Sequence, residues 1–96
     1  MDVLVAYDVA TDTPAGQRRL RKVAHVCVAH GQRVQKSVFE CSLTDVQLEE
    51  LLFRLLEIID DGQDSLRVYR LREPRERYTA VYGLRPGVDF QAPLVV

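Results

Sequence analysis

The sequence predicts an α+β domain in which two helices cover one face of an antiparallel sheet. Short β-branched runs bounded by turn residues and two segments with apolar residues at helical spacing support this class. The segments follow the order strand, helix, strand, helix, strand, strand. A chain of 96 residues is long enough for one such domain. We expect a single domain over residues 1–96, with a core at about 1–83 and a C-terminal tail at 84–96.

The first strand and the first helix are marked by their ends. The run VLVAYDV (3–9) is short, β-branched and bounded by polar residues, which is typical of a buried strand. Thr13 is predicted to cap the helix, with Pro14 at the first helical position, where its missing N–H costs nothing. Gly31 is expected to end the helix. The predicted core-facing stripe consists of Leu20, Val23, Ala24, Cys27 and Val28.

The second strand leads almost directly into the second helix. RVQKSVFEC (33–41) has strand composition but the imperfect alternation of a sheet edge or an interface. In TDVQ (44–47), Thr44 and Gln47 resemble a capping box. The helix is expected to end at DDGQD (60–64). Its predicted apolar stripe consists of Leu48, Leu51, Leu52, Leu55, Leu56 and Ile59.

The last third of the chain predicts two more strands, SLRVYRL (65–71) and YTAVYG (78–83), joined by the charged segment REPRER (72–77). The tail carries two prolines and ends in apolar residues, so we expect it to add a short strand, possibly on a neighbouring chain. Two helices on one face of an antiparallel sheet predict a ferredoxin-like sandwich. The strict form of this fold has two strands between its helices. The second of them must come from a split of segment 33–41 into two strands or from its pairing with another strand, and the sequence does not fix which.

Charge is distributed unevenly along the chain. The net charge of −1 combines +2 over residues 1–40, −6 over 41–66 and +3 over 67–96. An acidic middle between basic ends predicts a charged face and not a surface that attracts polyanions everywhere. Eleven of the thirteen cations are arginine, whose planar fork suits phosphate contacts. A GC-rich genome explains the same bias at least as well.

Several classes of protein are excluded by composition. No run approaches the ~20 apolar residues of a membrane span, and we expect no signal peptide. Cys27 and Cys41 are too few for a disulfide framework or a zinc pair. His25, Cys27 and His30 scatter around a helix and do not converge on one metal. We therefore expect a cytoplasmic protein with no membrane partner.

Asp8 is the strongest candidate for chemistry. A carboxylate at the end of a buried strand must meet water, hydrogen bonds or a cation. In one interpretation Asp8 accepts backbone N–H bonds from the turn before the helix; in the other it has a metal-binding or acid–base role. One carboxylate per chain makes a poor magnesium site, whereas two related by a dimer axis make a better one. Asp12 is expected to form the turn, although it could approach the same site as Asp8.

Basic residues form a second candidate site. Exposed arginines on a helix are commonly a solvated face, but near a helix N-terminus they also suit phosphate. Glu73 and Glu76 interrupt the last arginines of the set, so a salt-bridged loop explains these as well. Tyr7 and Phe39 could stack on bases or belong to the core. The basic set consists of Arg18, Arg19, Arg21, Lys22, His25, Arg33, Lys36, Arg67, Arg70, Arg72, Arg75 and Arg77.

The segments VLVAYDV, RRLRKVA, GQRVQKSVFEC and DSLRVYRL, together with the capped second helix, resemble the CRISPR-associated second adaptation protein family. Its members are the small partners of the CRISPR integrase that captures new spacers. The resemblance covers nearly the whole chain. It implies a ferredoxin-like fold and a homodimer in which the C-terminal strand packs against the partner's sheet. It also implies that the second β-segment pairs inside that dimeric arrangement.

The same resemblance implies a metal-dependent endonuclease acting on RNA or duplex DNA. Asp8 matches the family's aspartate at the end of strand one, and two such residues would hold Mg²⁺ or Mn²⁺ at the dimer seam. A non-catalytic adaptor that holds duplex DNA between integrase dimers is the alternative. A small-ligand or regulatory domain without nucleic-acid affinity is a third possibility. Residues expected near nucleic acid are Tyr7, Arg18, Arg19, Arg21, Lys22, Arg33, Lys36 and Phe39.

Overall fold

Four strands form one antiparallel sheet with the order β2-β3-β1-β4. In the computed structural model, which describes residues 1–84, two long helices pack on one face of this sheet. The succession β1-α1-β2-β3-α2-β4 with this strand order confirms the ferredoxin-like prediction. The elements are β1 (Asp2–Asp8), α1 (Pro14–His30), β2 (Gln32–Gln35), β3 (Val38–Ser42), α2 (Asp45–Ile58), β4 (Ser65–Arg70) and a short α3 (Arg75–Tyr78).

The segment predicted as one strand over 33–41 is a hairpin. It turns at Lys36 and Ser37, so that β2 and β3 pair antiparallel within a single chain. The imperfect alternation of the segment reflects this turn and an irregular register between Arg33 and Gln35. The expectation that the second β-segment pairs inside a dimer is therefore corrected, because its partner strand comes from the same chain.

Both long helices begin at the predicted caps. The Thr13 hydroxyl accepts a hydrogen bond from the Gly16 amide at 3.1 Å. At the start of α2, the Thr44 hydroxyl accepts from the Gln47 amide at 3.2 Å, and the Gln47 side chain accepts from the Thr44 amide at 2.9 Å. This reciprocal pair is the predicted capping box. The helix α1 ends before Gly31, as expected.

The core lies between the helices and one face of the sheet. It joins Phe39 and the buried residues of β1 to Val23 and Cys27 of α1 and to three leucines of α2. The predicted helix stripes were too wide: Val28 and Leu56 are 59% and 60% exposed, whereas the unpredicted Val26 is buried. Helical spacing alone sets the direction of a stripe within about one residue, and packing decides its edges.

The predicted strand over 78–83 is wrong. Residues 75–78 form α3, and none of residues 79–84 pairs with a strand of the described chain. The Arg75 guanidinium lies 3.6 Å from the Asp2 carboxylate and 3.5 Å from that of Glu40. These ion pairs hold the segment beside the sheet in place of a further ladder. Arg75 is thus salt-bridged, but to Asp2 and Glu40 of the sheet and not to Glu73 or Glu76 within its own segment.

The predicted dimerisation tail, residues 84–96, lies outside the described residues except for Leu84. Over residues 1–84, none of the helices combines the length and the apolar character that crossing a membrane requires.

Candidate active site

Asp8 ends the central strand β1 with its side chain exposed. Val3, Val5 and Tyr7 of the same strand are buried under the helices, so the alternation of a strand places Asp8 on the opposite face. Within residues 1–84 the Asp8 carboxylate takes part in no ion pair and no hydrogen bond. The turn-forming interpretation is therefore wrong, and the carboxylate is available to a ligand.

Asp8 shares an uncovered sheet surface, which we call the Asp8 face. Neither α1 nor α2 packs on this surface, and residues 75–84 line a groove along part of it. It is mixed in character, because apolar residues at its centre are flanked by Glu40 and Arg67. The sheet register assigns to the Asp8 face Leu4, Ala6 and Asp8 of β1, Val38 and Glu40 of β3, and Arg67 and Tyr69 of β4.

A buried ion pair lies directly behind Asp8. The Asp64 side chain is fully buried and accepts from Arg19 Nε at 2.8 Å and Arg19 Nη2 at 3.3 Å. It also accepts from the amides of Ala10 at 3.0 Å and Asp60 at 2.9 Å. The Arg19 guanidinium and these amides lower the pKa of Asp64 to about 2 despite its burial. Arg19 is therefore engaged inside the protein and does not project toward a ligand.

Tyr7 and Phe39 lie in the core on the other side of the sheet. Their rings stack with centroids 6.2 Å apart, and Phe39 is fully buried. The Arg33 guanidinium lies 5.1 Å from the centre of the Phe39 ring, on the same side of the sheet. Burial raises the pKa of Tyr7. Neither ring presents a face on which a base could stack, so we leave Tyr7, Arg33 and Phe39 out of the proposed nucleic-acid surface.

Other predicted basic residues remain exposed at the Asp8 end of the sheet. The helix α1 begins six residues after Asp8 and has no acidic residue in its first turn. Lys36 is exposed in the β2–β3 turn, and this turn lies near Asp8 because the Tyr7 amide donates to the Ser37 carbonyl at 3.1 Å. Exposed cations along α1 are Arg18, Arg21 and Lys22.

The pairing of β4 with β1 places Arg67 on the Asp8 face. It lies opposite Ala6, two residue pairs from Asp8 along the ladder and therefore on the same face, and its Nη1 donates to the Tyr69 hydroxyl at 3.0 Å. The sequence placed Arg67 only in a run of arginines, since nothing local shows which face of a strand meets the helices. Nothing in the residues near Asp64 indicates its buried ion pair, because its partner Arg19 is 45 residues away in the sequence.

Residues 1–84 contain no cluster of three or more histidine, cysteine or acidic side chains suited to a metal ion. A single chain therefore offers Asp8 alone. Since Mg²⁺ prefers several oxygen ligands and retains water, the donor type of Asp8 fits this ion but the number of donors does not. A divalent ion at Asp8 would require further oxygen atoms from a second copy or from a phosphate.

The cysteines and histidines do not form a competing site. Cys27 and Cys41 are buried free thiols, and burial raises the pKa of Cys27 to about 12. A thiol of this kind is a poor nucleophile. His30 is used at the end of α1, where its Nδ1 lies 2.8 Å from the Val26 carbonyl.

The family model for CRISPR associated protein Cas2 matches residues 1–78. The chain belongs to the Cas2 family. Among curated Cas2 proteins, the "CRISPR-associated endoribonuclease Cas2 1" of Moorella thermoacetica is 58% identical over 96 residues, covering 100% of both chains. The "CRISPR-associated endonuclease Cas2" of Halalkalibacterium halodurans is 45% identical over 99% of both. The chain is also similar to the crystal structure of Streptococcus pyogenes Cas2, with a TM-score of 0.78 and 52% identity over 86% of this chain and 100% of that one. These matches confirm the predicted family and fold.

Proposed function

We propose that this protein is a homodimeric, metal-dependent endonuclease of CRISPR adaptation that hydrolyses phosphodiester bonds in RNA or DNA. The observation that carries the proposal is the free, exposed Asp8 carboxylate at the end of the central strand, on the sheet face opposite α1 and α2. The names of two Cas2 relatives support the activity: one is called an endoribonuclease and the other an endonuclease. Both substrate classes therefore enter the test.

The homodimer forms through the Asp8 face. Its centre is apolar, with Leu4, Ala6 and Val38 side by side, and an apolar sheet surface without helices is stabilised by burial against another surface. A two-fold axis through this face would bring two Asp8 carboxylates together. The pairing supplies the second acidic ligand that one chain lacks.

Each part of the proposed site has a chemical task. The paired Asp8 carboxylates hold Mg²⁺, or Mn²⁺ as a substitute with the same preference for oxygen. The bound ion would supply activation of water and stabilisation of charge on the scissile phosphate. Exposed cations position the nucleic-acid backbone without reading sequence, as phosphate contacts do. These cations are Arg18, Arg21 and Lys22 of α1, Lys36 of the hairpin turn and Arg67 of β4.

The CRISPR integrase subunit is the proposed protein partner. In this role the dimer bridges integrase dimers and supports duplex DNA during spacer insertion. Such a bridging role does not require Asp8 to catalyse, and it is retained as the alternative function. The names of the relatives do not favour it as the sole function.

Cleavage by the Asp8→Asn variant tests the proposal. Asparagine keeps the shape of the side chain but removes the negative ligand, so we expect magnesium-dependent cleavage to fall by at least about 100-fold, since metal-ion chemistry contributes several kcal/mol. Labelled single-stranded RNA and duplex DNA are incubated with wild type and variant across a magnesium titration. Circular dichroism and sedimentation check that the variant folds and dimerises.

Asp45→Asn is the matched control, because Asp45 is exposed at the start of α2, at the other end of the sheet. It should cleave as wild type does. Undiminished cleavage by Asp8→Asn would refute the proposed active site. If wild type cleaves neither substrate yet binds duplex DNA and supports spacer integration, equally with or without Asp8, the adaptor alternative replaces the endonuclease.

A further inference from the structure

We propose that Arg19 and Asp64 are positioning residues that fix the backbone around Asp8, so that its carboxylate is held ready for a divalent metal. This inference rests on the proposed role of Asp8. The two residues touch neither the metal nor the nucleic acid in this proposal. They act through Ala10 and Ser65, which lie on the two sides of Asp8.

Asp64 is held in one orientation by four donors. Arg19 Nε and the Asp60 amide reach one of its oxygen atoms, and Arg19 Nη2 and the Ala10 amide reach the other, all at 2.8–3.3 Å. Because the side chain is fully buried, each of these bonds is protected from competition by water. A carboxylate with both oxygen atoms engaged in this way has little freedom to rotate.

The bonds of Asp64 reach Asp8 by two routes. The Ala10 amide lies two residues after Asp8 and donates a hydrogen bond to Asp64. This bond fixes the start of the loop. Ser65, the next residue after Asp64, is the cross-strand partner of Asp8 in the β1–β4 ladder. Asp64 thus restrains both the chain that continues from Asp8 and the strand that pairs with it.

Arg19 connects this restraint to the first helix. Gly16, one turn before Arg19, packs so closely on the Ala10 carbonyl that a Cβ atom would overlap it. The loop from Asp8 to the helix is thereby held at Ala10 on both sides, by Asp64 at the amide and by Gly16 at the carbonyl. Partners that hydrogen-bond a ligand directly are commonly worth 10- to 100-fold in metal affinity. Because Arg19 and Asp64 act on Asp8 through the backbone, we expect an effect at the lower end of that range.

Arg19→Gln and Asp64→Asn test the inference by two readouts that do not depend on cleavage. The first is hydrogen exchange of the Ala10 amide in the metal-free protein, which we expect to be about tenfold faster in both variants, because its acceptor is no longer fixed. The second is the broadening of the Asp8 amide resonance by Mn²⁺, which should need about tenfold more Mn²⁺ for half its effect. Arg19→Lys, which keeps the charge, should recover part of both changes.

Arg54→Gln is the matched control: Arg54 is exposed on α2, and its loss removes the same charge. It should leave both readouts at wild-type values. Thermal unfolding identifies any variant that does not fold. In that case Arg19→Lys decides, because its Ala10 exchange rate and its Mn²⁺ requirement should still exceed those of wild type. Wild-type values for Ala10 exchange and for Mn²⁺ broadening in a folded Arg19 or Asp64 variant would overturn the inference.

Failure of the proposed function looks different. A wild-type protein that neither cleaves nucleic acid nor shows Mn²⁺ broadening at Asp8 refutes the endonuclease proposal. Whether Arg19 restrains the Asp8 loop is then still tested by two measurements in the variants: the hydrogen-exchange rate of the Ala10 amide and the chemical shift of the Asp8 amide.

Discussion

At the scale of single residues, the carboxylates of Asp8 and Asp64 differ in exposure and in hydrogen-bond partners. Asp8 is exposed and has no partner among the described residues, whereas Asp64 is fully buried with an arginine and two backbone amides. A buried charge persists only where such partners replace water. Solvent exposure therefore leaves Asp8 available to a ligand, whereas Asp64 has a structural role.

Acid stability is the first residue-scale prediction. Because the pKa of Asp64 is lowered to about 2 in the folded chain and an unfolded aspartate titrates near 4, its stabilising contribution is present above about pH 4. It is lost as the pH falls toward 2. We expect Asp64→Asn to lower the free energy of unfolding by roughly 2 kcal/mol at pH 7, the scale of hydrogen bonds to a charged group. The loss should shrink toward pH 2.

Urea unfolding at pH 7, 4 and 2.5 measures this effect. Asp61→Asn serves as the control, since Asp61 is exposed in the same loop. A constant difference between wild type and Asp64→Asn over the whole pH range would contradict the assignment of the low pKa to Asp64.

At the scale of elements, the N-terminus of α1 determines how the loop after Asp8 is packed. Thr13 caps the helix, and Gly16 follows at the point where the helix approaches the Ala10 carbonyl. Helix propensity favours alanine over glycine by about 1 kcal/mol. The lack of space at Gly16 opposes this preference, because the obstructing atom belongs to the backbone and cannot rotate away.

Gly16→Ala is accordingly expected to destabilise the protein by roughly 1–3 kcal/mol, since overpacking exceeds the gain in propensity. Thermal or urea unfolding gives the sign directly. Gly62→Ala is the control, because its Cβ atom would meet only the end of the Asp60 side chain, at 3.3 Å. A stabilised Gly16→Ala variant would show that the loop at Ala10 can move away.

At the scale of the whole molecule, charge and apolar surface are separated. Basic residues of α1 and the hairpin turn lie toward the Asp8 end. All seven acidic residues of 41–66 lie on α2 and on the loop after it, and this loop reaches the Asp8 end because Ser65 pairs with Asp8. The Asp8 face is apolar at its centre and is left uncovered by α1 and α2. One domain therefore offers a surface suited to a second copy and cations suited to phosphate.

A dimer through the Asp8 face predicts the behaviour of Ala6→Glu. Ala6 lies at the centre of this face, opposite Arg67, so a glutamate there can pair within one chain while obstructing close contact with a second copy. We expect a folded monomer by sedimentation velocity, with cleavage lost along with the paired Asp8 site. Val46→Glu, at a position 73% exposed on α2, should remain dimeric. A dimeric Ala6→Glu would place the interface elsewhere.

The sequence by itself determined the features that depend on neighbouring residues: the caps at Thr13 and Thr44, the extent of both long helices, and Asp8 at the end of a buried strand. Tertiary structure alone decided that 33–41 turns into a hairpin, that Tyr7 and Phe39 face the core, and that Arg19 pairs with Asp64. The physical reason is range. Periodicity and capping act over three or four residues, whereas strand pairing and the Arg19–Asp64 contact join residues that only folding brings together.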